Sequence, residues 1–170
     1  MLRNKRGDVT EYILVPVILF FIAISFLVVA LVNDQLKGVI TDTALNETDI
    51  AGTITNQMDT ITQTTIPNAF IVFFGFIALG MMVSAFLIRI HPVFMFLYII
   101  FLAVSVFLTI FLANGYYEVA SNDVFADIID YQSPITWIWS HIVIIELALG
   151  ALSMIITFGK LFGGTPESPI

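Results

Sequence analysis

The chain reads as an all-α integral membrane protein with four transmembrane helices in two hairpins and a partly helical extramembrane loop after the first span. Three observations predict this. First, 59% of residues are hydrophobic and 11% are charged, with a mean hydropathy of +1.00. A soluble domain carries roughly 25% charged residues, so there is too little charge here to cover a water-facing surface. Second, the stretch from Asn68 to Ala113 is almost wholly apolar and is broken only by Arg89-Ile90-His91-Pro92. Each half approaches the ~20 residues that carry a helix across the hydrocarbon core, and the break between them reads as a tight turn at one membrane surface. Third, with four spans, Arg3, Lys5, Arg6, Arg89 and Lys160 all fall on one side and Lys37 alone on the other. The positive-inside bias then places both termini and the turn 89–92 in the cytoplasm, or on the interior side of a virion membrane, and segments 33–67 and 114–134 outside.

Residues 1–12 form a short basic N-terminus, followed by a first span at 13–32. Pro16 stands near the start of that span, where a missing backbone donor costs least. A basic start and an apolar run also describe a secretory signal peptide. This run is longer than a typical signal core, and Val32-Asn33-Asp34-Gln35 follows it in place of a small-residue cleavage site, so a retained helix is expected.

The stretch Lys5-Arg6-Gly7-Asp8-Val9-Thr10-Glu11-Tyr12, running into the apolar helix, resembles the N-terminus of archaeal and bacterial type IV prepilins. The resemblance implies cleavage after the basic-Gly element by a membrane peptidase and a role for Glu11 in assembly. It covers only the start of the chain. Glu11 stands one position closer to the glycine than the usual pilin spacing, and pilins have a single membrane helix. A basic topology anchor followed by an interfacial Glu-Tyr pair accounts for the same residues.

Segment 33–67 is rich in Thr, Asp, Asn and Gln. Apolar residues recur at Leu36, Ile40 and Ala44, then at Ile50, Ile54, Met58 and Ile61, the spacing of an amphipathic helix. Gly38, Gly52 and the many threonines lower helix propensity. One or two helices outside the membrane are expected, with Ile50, Ile54, Met58 and Ile61 as a candidate interaction surface; a solvated loop is the alternative. Asn46-Glu47-Thr48 matches the N-glycosylation acceptor pattern, which matters only in a glycosylating compartment.

The second and third spans are placed at 68–88 and 93–113, joined by 89–92. Gly80 and Ser84 form a small-xxx-small step that suits close helix packing. Ser105 and Thr109 share one face of the third span, where hydroxyls can bond back to their own helix. Segment 114–134 is acidic. Asp123, Asp127 and Asp130 fall on one helical face, and Val124, Phe125, Ile128 and Ile129 on the opposite one, which predicts a short surface helix. The Asp-x-Asp-x-Asp-Gly pattern of a calcium loop is absent. The fourth span is placed at 135–158, with Tyr131, Trp137 and Trp139 as an interfacial aromatic belt, Lys160 at its other end and a tail at 159–170.

Glu146 is the one ionisable residue well inside a span, and such acids are functional candidates. On a helical wheel it shares a face with Trp139, Gly150, Ser153 and Thr157, a stripe expected to face protein. Glu146, Ser153 and Thr157 make a candidate intramembrane polar site, and Gly150 a packing position. The carboxyl acts either as a proton or cation site or as a protonated hydrogen-bonding group between helices. His141 lies roughly 140° away on the wheel, so the two do not pair within one helix; His141 is expected at the interface beside Trp137, and His91 at the cytoplasmic turn.

Without cysteine, disulfides, thiolate metal sites and thiol catalysis are excluded. The net charge of −7, with no large basic cluster, argues against nucleic-acid binding. No His-Glu-x-x-His, Gly-x-Ser-x-Gly, Gly-x-Gly-x-x-Gly or phosphate-loop motif is present, so no enzyme activity, metal or cofactor is expected. The two hairpins differ in loop length and composition, which gives no support to an inverted-repeat transporter. The expected function is a small structural or scaffold subunit of a larger membrane assembly, cellular or viral, whose partners are the bilayer and other membrane subunits, including further copies of itself. The alternative is an oligomeric channel or holin-like pore with Glu146 as its intramembrane polar site.

Overall fold

A computed structural model describes residues 8–43, 49–87 and 94–162. Among them the regular structure is wholly helical: α1 Asp8–Thr41, α2 Asp49–Thr60, a π-helical turn Ile61–Thr65, α3 Ile66–Leu87, α4 Phe94–Ala120, a 3-10 turn Asp123–Phe125, α5 Ala126–Ile129 and α6 Ser133–Phe162. Four helical stretches are long and apolar enough to cross a membrane: Ile13–Thr41, Ile50–Ala85, Met95–Ala120 and Ser133–Gly159. The chain is a multi-pass integral membrane protein with a four-span all-α fold. The basic cluster at Arg3, Lys5 and Arg6, the Asn46 triplet, the turn at Arg89 to Pro92 and the end of the tail lie outside the described residues.

The four long helices form a bundle in which α1 packs on α4, α4 on α6, α6 on α3, and α3 more thinly on α1. The closest pairs run parallel: α1 with α4, and α3 with α6. The turn expected between the second and third spans lies outside the described residues. α3 and α4 follow each other in sequence, yet each takes its main partner elsewhere. The reason lies in the faces they offer. Thr62, in the π turn just before α3, meets Gln132, just before α6, and near the other end the Ala85 carbonyl of α3 meets Thr157 of α6, so this helix is tied to α6 at both ends.

The core is built from one stripe of each helix. Leu19, Ala23, Leu27 and Ala30 of α1 recur every three or four residues, as one helical face requires, and meet Phe70, Ala113, Tyr116, Ile135, Ile138, Trp139 and Ile142. Alanine on α1 lets the neighbouring backbone approach, the usual device where lipid supplies no hydrophobic drive to association. Several phenylalanines point the other way. Phe21, Phe76, Phe96, Phe107 and Phe111 are all strongly exposed on the bundle surface, where a bilayer would solvate them.

Two features differ from the sequence reading of segment 33–67. α1 does not stop near residue 32 but runs on to Thr41, and α2 passes through the π turn into α3 without a break. The segment is thus mostly a helical extension of the first two spans. At 1.5 Å per residue, the 34 residues of α1 measure about 51 Å and the 27 of α4 about 40 Å. The α1 and α2 ends stand out from the bundle as a hairpin. Inside it Ala51 is buried, and Lys37 Nζ donates to Asp59 Oδ1 at 2.5 Å.

The acidic segment closes the same end. Asn122 Oδ1 accepts the Val124 N–H at 3.1 Å and starts the 3-10 turn. α5 drives Ile128 into the core, with Phe125 and Ile129 packed against it, while Asp123, Asp127 and Asp130 stay exposed.

Candidate functional sites: a carboxyl within a span and a projecting hairpin

The face of α6 that carries Glu146 is turned into the bundle. Trp139, Gly150, Ser153 and Thr157 are buried, and Glu146 is half-buried. Gly150 sits where α4 comes closest. A Cβ there would lie 2.5 Å from Leu102 Cδ1, and the Gly150 carbonyl accepts the Tyr98 hydroxyl at 3.0 Å. That approach brings Ser105 of α4 onto Glu146, whose Oε1 accepts the Ser105 hydroxyl. Thr109, one turn along α4, is buried beside them. It lies close enough to act on the Glu146 carboxyl as a second hydroxyl neighbour, while Ser153 Oγ and Trp139 Nε1 are buried without a hydrogen bond. Thr157 donates to the Ala85 carbonyl at 3.4 Å. Trp139 stacks on Tyr116, with centroids 5.4 Å apart, and meets the edge of Phe20.

Ser153 and Thr157 share the Glu146 face but stand two and three turns away from it along α6, so the direct partners of the carboxyl come from α4. On its other side Glu146 borders an apolar crevice lined by Val15, Pro16 and Leu19 of α1 and by Phe74, Ile77 and Met81 of α3. The crevice follows the thin α1–α3 seam. Among the described residues the carboxyl has a hydroxyl beside it but no cation, and the ion pair present is Lys37 with Asp59, far out on the hairpin.

The second polar cluster was not legible beforehand, and Pro67 causes it. A proline inside a helix has no N–H to give and its ring crowds the preceding turn. Here the preceding turn widens into the π geometry, and the Ile66 N–H reaches back to the Ile61 carbonyl. The Thr62 carbonyl then receives neither Ile66 nor Pro67. Gln132, the residue just before α6, supplies the missing donor: its Nε2 reaches the Thr62 carbonyl at 3.0 Å, and Gln132 is fully buried. From the other side Asn33 Nδ2 of α1 donates to Thr62 Oγ1 at 2.6 Å and to the Met58 carbonyl at 2.7 Å. This clamp ties α1, the π turn and the start of α6 at one level. The signal in the sequence was Pro67 itself, set within a continuing helical pattern.

The expected interaction stripe is open. Ile50 is 71% exposed, Ile54 39% and Ile61 41%, whereas Met58 is half-buried beside α1. Gly80 and Ser84 meet no other described helix of this chain. Gly80 is exposed with nothing within 4 Å of a Cβ placed on it, and Ser84 donates to the Met81 carbonyl of its own helix. The step shares its outward face with Phe76, Leu79 and Val83, all exposed. His141 takes the place beside Trp137: the rings stack at 4.6 Å, and His141 Nδ1 lies 2.9 Å from the Trp137 carbonyl.

These features define a class, a multi-pass helical bundle whose first two spans continue beyond it as a hairpin. Set against protein-family models, curated proteins and solved structures, the chain matches none of them.

Proposed function

We propose that the chain is a small structural subunit of a larger membrane-embedded assembly, in a cellular complex or a virion membrane. It works without catalysis, by helix packing in the bilayer and by contacts of the outer hairpin. In this reading both termini lie in the cytoplasm or the virion interior, and the hairpin lies outside.

One feature supports the reading: apolar side chains stand exposed on a hairpin that projects past the level of the acidic turn. The Thr62–Gln132 bond sets the π turn level with the start of α6, next to the turn that bears the exposed Asp123, Asp127 and Asp130. Carboxylates at that level belong in water, since charge is costly in hydrocarbon. α2 rises from there for 12 residues, about 18 Å at 1.5 Å per residue. Ile50 and Ile54 therefore face water, and covering such surface is worth roughly 25 cal/mol per Å². The test is the native mass of the protein extracted in mild detergent from the membranes that make it. The wild type is expected well above the single-chain mass, with Ile50→Ser/Ile54→Ser shifting it downward. A single-chain mass for the wild type would overturn the proposal.

A second reading, an oligomeric channel or holin-like pore, is favoured by a half-buried carboxyl set on α6 between the Ser105 hydroxyl and the apolar crevice. It predicts ion or proton flux in proteoliposomes that disappears in Glu146→Gln while the size of the particle is unchanged. No flux in the wild type would dismiss it.

A further inference from the structure

We infer that the outer hairpin docks a basic amphipathic helix of another protein and not a second copy of this chain. The inference rests on the structural-subunit reading and adds the chemistry of the partner.

The apolar half of the argument is geometric. Ile50, Ile54 and Ile61 lie along one side of the continuous α2–π–α3 helix, a ridge with the spacing that lets a second helix lie against it. Leu36 and Val39, both exposed, extend apolar surface along the projecting end of α1.

Charge selects the occupant. Asp34 and Asp42 stand exposed on the hairpin, and Asp123, Asp127 and Asp130 stand exposed at its base. The one cation of the outer segments, Lys37, is already spent on Asp59 at 2.5 Å. Among the described residues, the end of the molecule that carries the ridge thus holds more carboxylates than cations. Copies of this chain inserted the same way round would bring those carboxylates together, and like-charge juxtaposition disfavours a partner by several kcal/mol. A helix with leucine-like residues on one face and Lys or Arg on the other covers the ridge and neutralises its rim. Attraction between such opposed patches also speeds encounter and fades with salt.

The experiment uses the full chain in phosphatidylcholine nanodiscs, with empty discs as the control. Two fluorescent helical peptides share one leucine face; one carries lysines on its polar face, the other glutamates. Anisotropy is expected to show binding of the lysine peptide above empty discs, weakened about tenfold or more between 0.05 and 0.5 M salt, and no measurable binding of the glutamate peptide. Asp34→Asn/Asp42→Asn, which keeps size and polarity, should weaken binding several-fold and flatten the salt dependence, and Ile50→Ser/Ile54→Ser should abolish it. Circular dichroism of each variant is expected to match the wild type. Equal binding of both peptides, binding no better than to empty discs, or indifference to both variants would overturn the inference. So would a dimer in light scattering that Ile50→Ser/Ile54→Ser dissolves, since the ridge would then belong to a second copy. The two proposals fail separately. A single-chain mass from native membranes with peptide binding intact sinks the subunit reading, while a large native mass with no peptide binding sinks this one.

Discussion

The two polar clusters of this bundle use the same kinds of group and reach different ends. In the outer clamp, Asn33 and Gln132 give their N–H groups to Thr62 Oγ1 and to the carbonyls of Met58 and Thr62. In the membrane cluster Ser105 donates to Glu146 while Ser153 Oγ is buried without a hydrogen bond, and the clamp too leaves one such atom, Gln132 Oε1. The difference follows from what the backbone demands. Pro67 orphans a carbonyl, and an orphaned buried carbonyl costs about 1–3 kcal/mol, so the fold itself calls for Gln132. Nothing in the backbone of α6 calls for Glu146. The backbone thus accounts for the clamp, whereas the carboxyl is held by side chains of α4.

The largest effect that breaks this comparison is steric. Gly150→Leu would drive a branched side chain into Leu102, and overpacking of this kind costs about 1–3 kcal/mol or more. A large drop in the thermal midpoint in detergent is expected, with loss of the α4–α6 approach that brings Ser105 to Glu146. Next comes Gln132→Leu, which leaves the Thr62 carbonyl unpaired and should cost about 1–3 kcal/mol. A sharper version adds Pro67→Ala. An alanine restores a backbone donor, so the Gln132→Leu penalty should shrink in that background by about 1 kcal/mol, read as the coupling term of a double-mutant cycle. Additive penalties would mean that Pro67 is not the cause of the clamp. Glu146→Gln keeps the size of the side chain and an acceptor for Ser105, and it should leave the midpoint nearly unchanged. The smallest effect belongs to Lys37→Gln. The Lys37 and Asp59 side chains are 33% and 36% exposed, and pairs that open to water contribute about 0–1 kcal/mol. The difference from wild type should vanish at 1 M salt, where screening acts within about 3 Å.

The spans were legible because length and hydropathy alone report them. The Glu146 face was legible too, since Trp139, Gly150, Ser153 and Thr157 follow the helical period and a wheel needs no tertiary information. Gly80 and Ser84 show the limit of that method: the step has the right spacing, but spacing does not say whether the face meets protein or lipid, and Phe76 and Val83 carry it outward. The hairpin was read as one or two separate helices, because threonine and glycine weaken propensity and Pro67 reads locally as a terminus. Burial of Ala51 and the contacts of Asn33 and Lys37 with the second helix outweigh propensity there. The clamp itself joins Thr62 to Gln132 across 70 positions of sequence, and no local pattern reports such a pair.

The reading of the hairpin as a water-exposed contact surface has one direct test. The chain has no cysteine, so single substitutions Asn56→Cys on α2, Asp127→Cys on the acidic turn and Ser168→Cys in the tail give clean reporters. An impermeant thiol reagent applied to intact cells should label Asn56→Cys and Asp127→Cys alike, and Ser168→Cys only after the membrane is opened. Labelling of Asp127→Cys with protection of Asn56→Cys, persisting in the purified protein, would put the hairpin in lipid or in the protein interior and contradict the account.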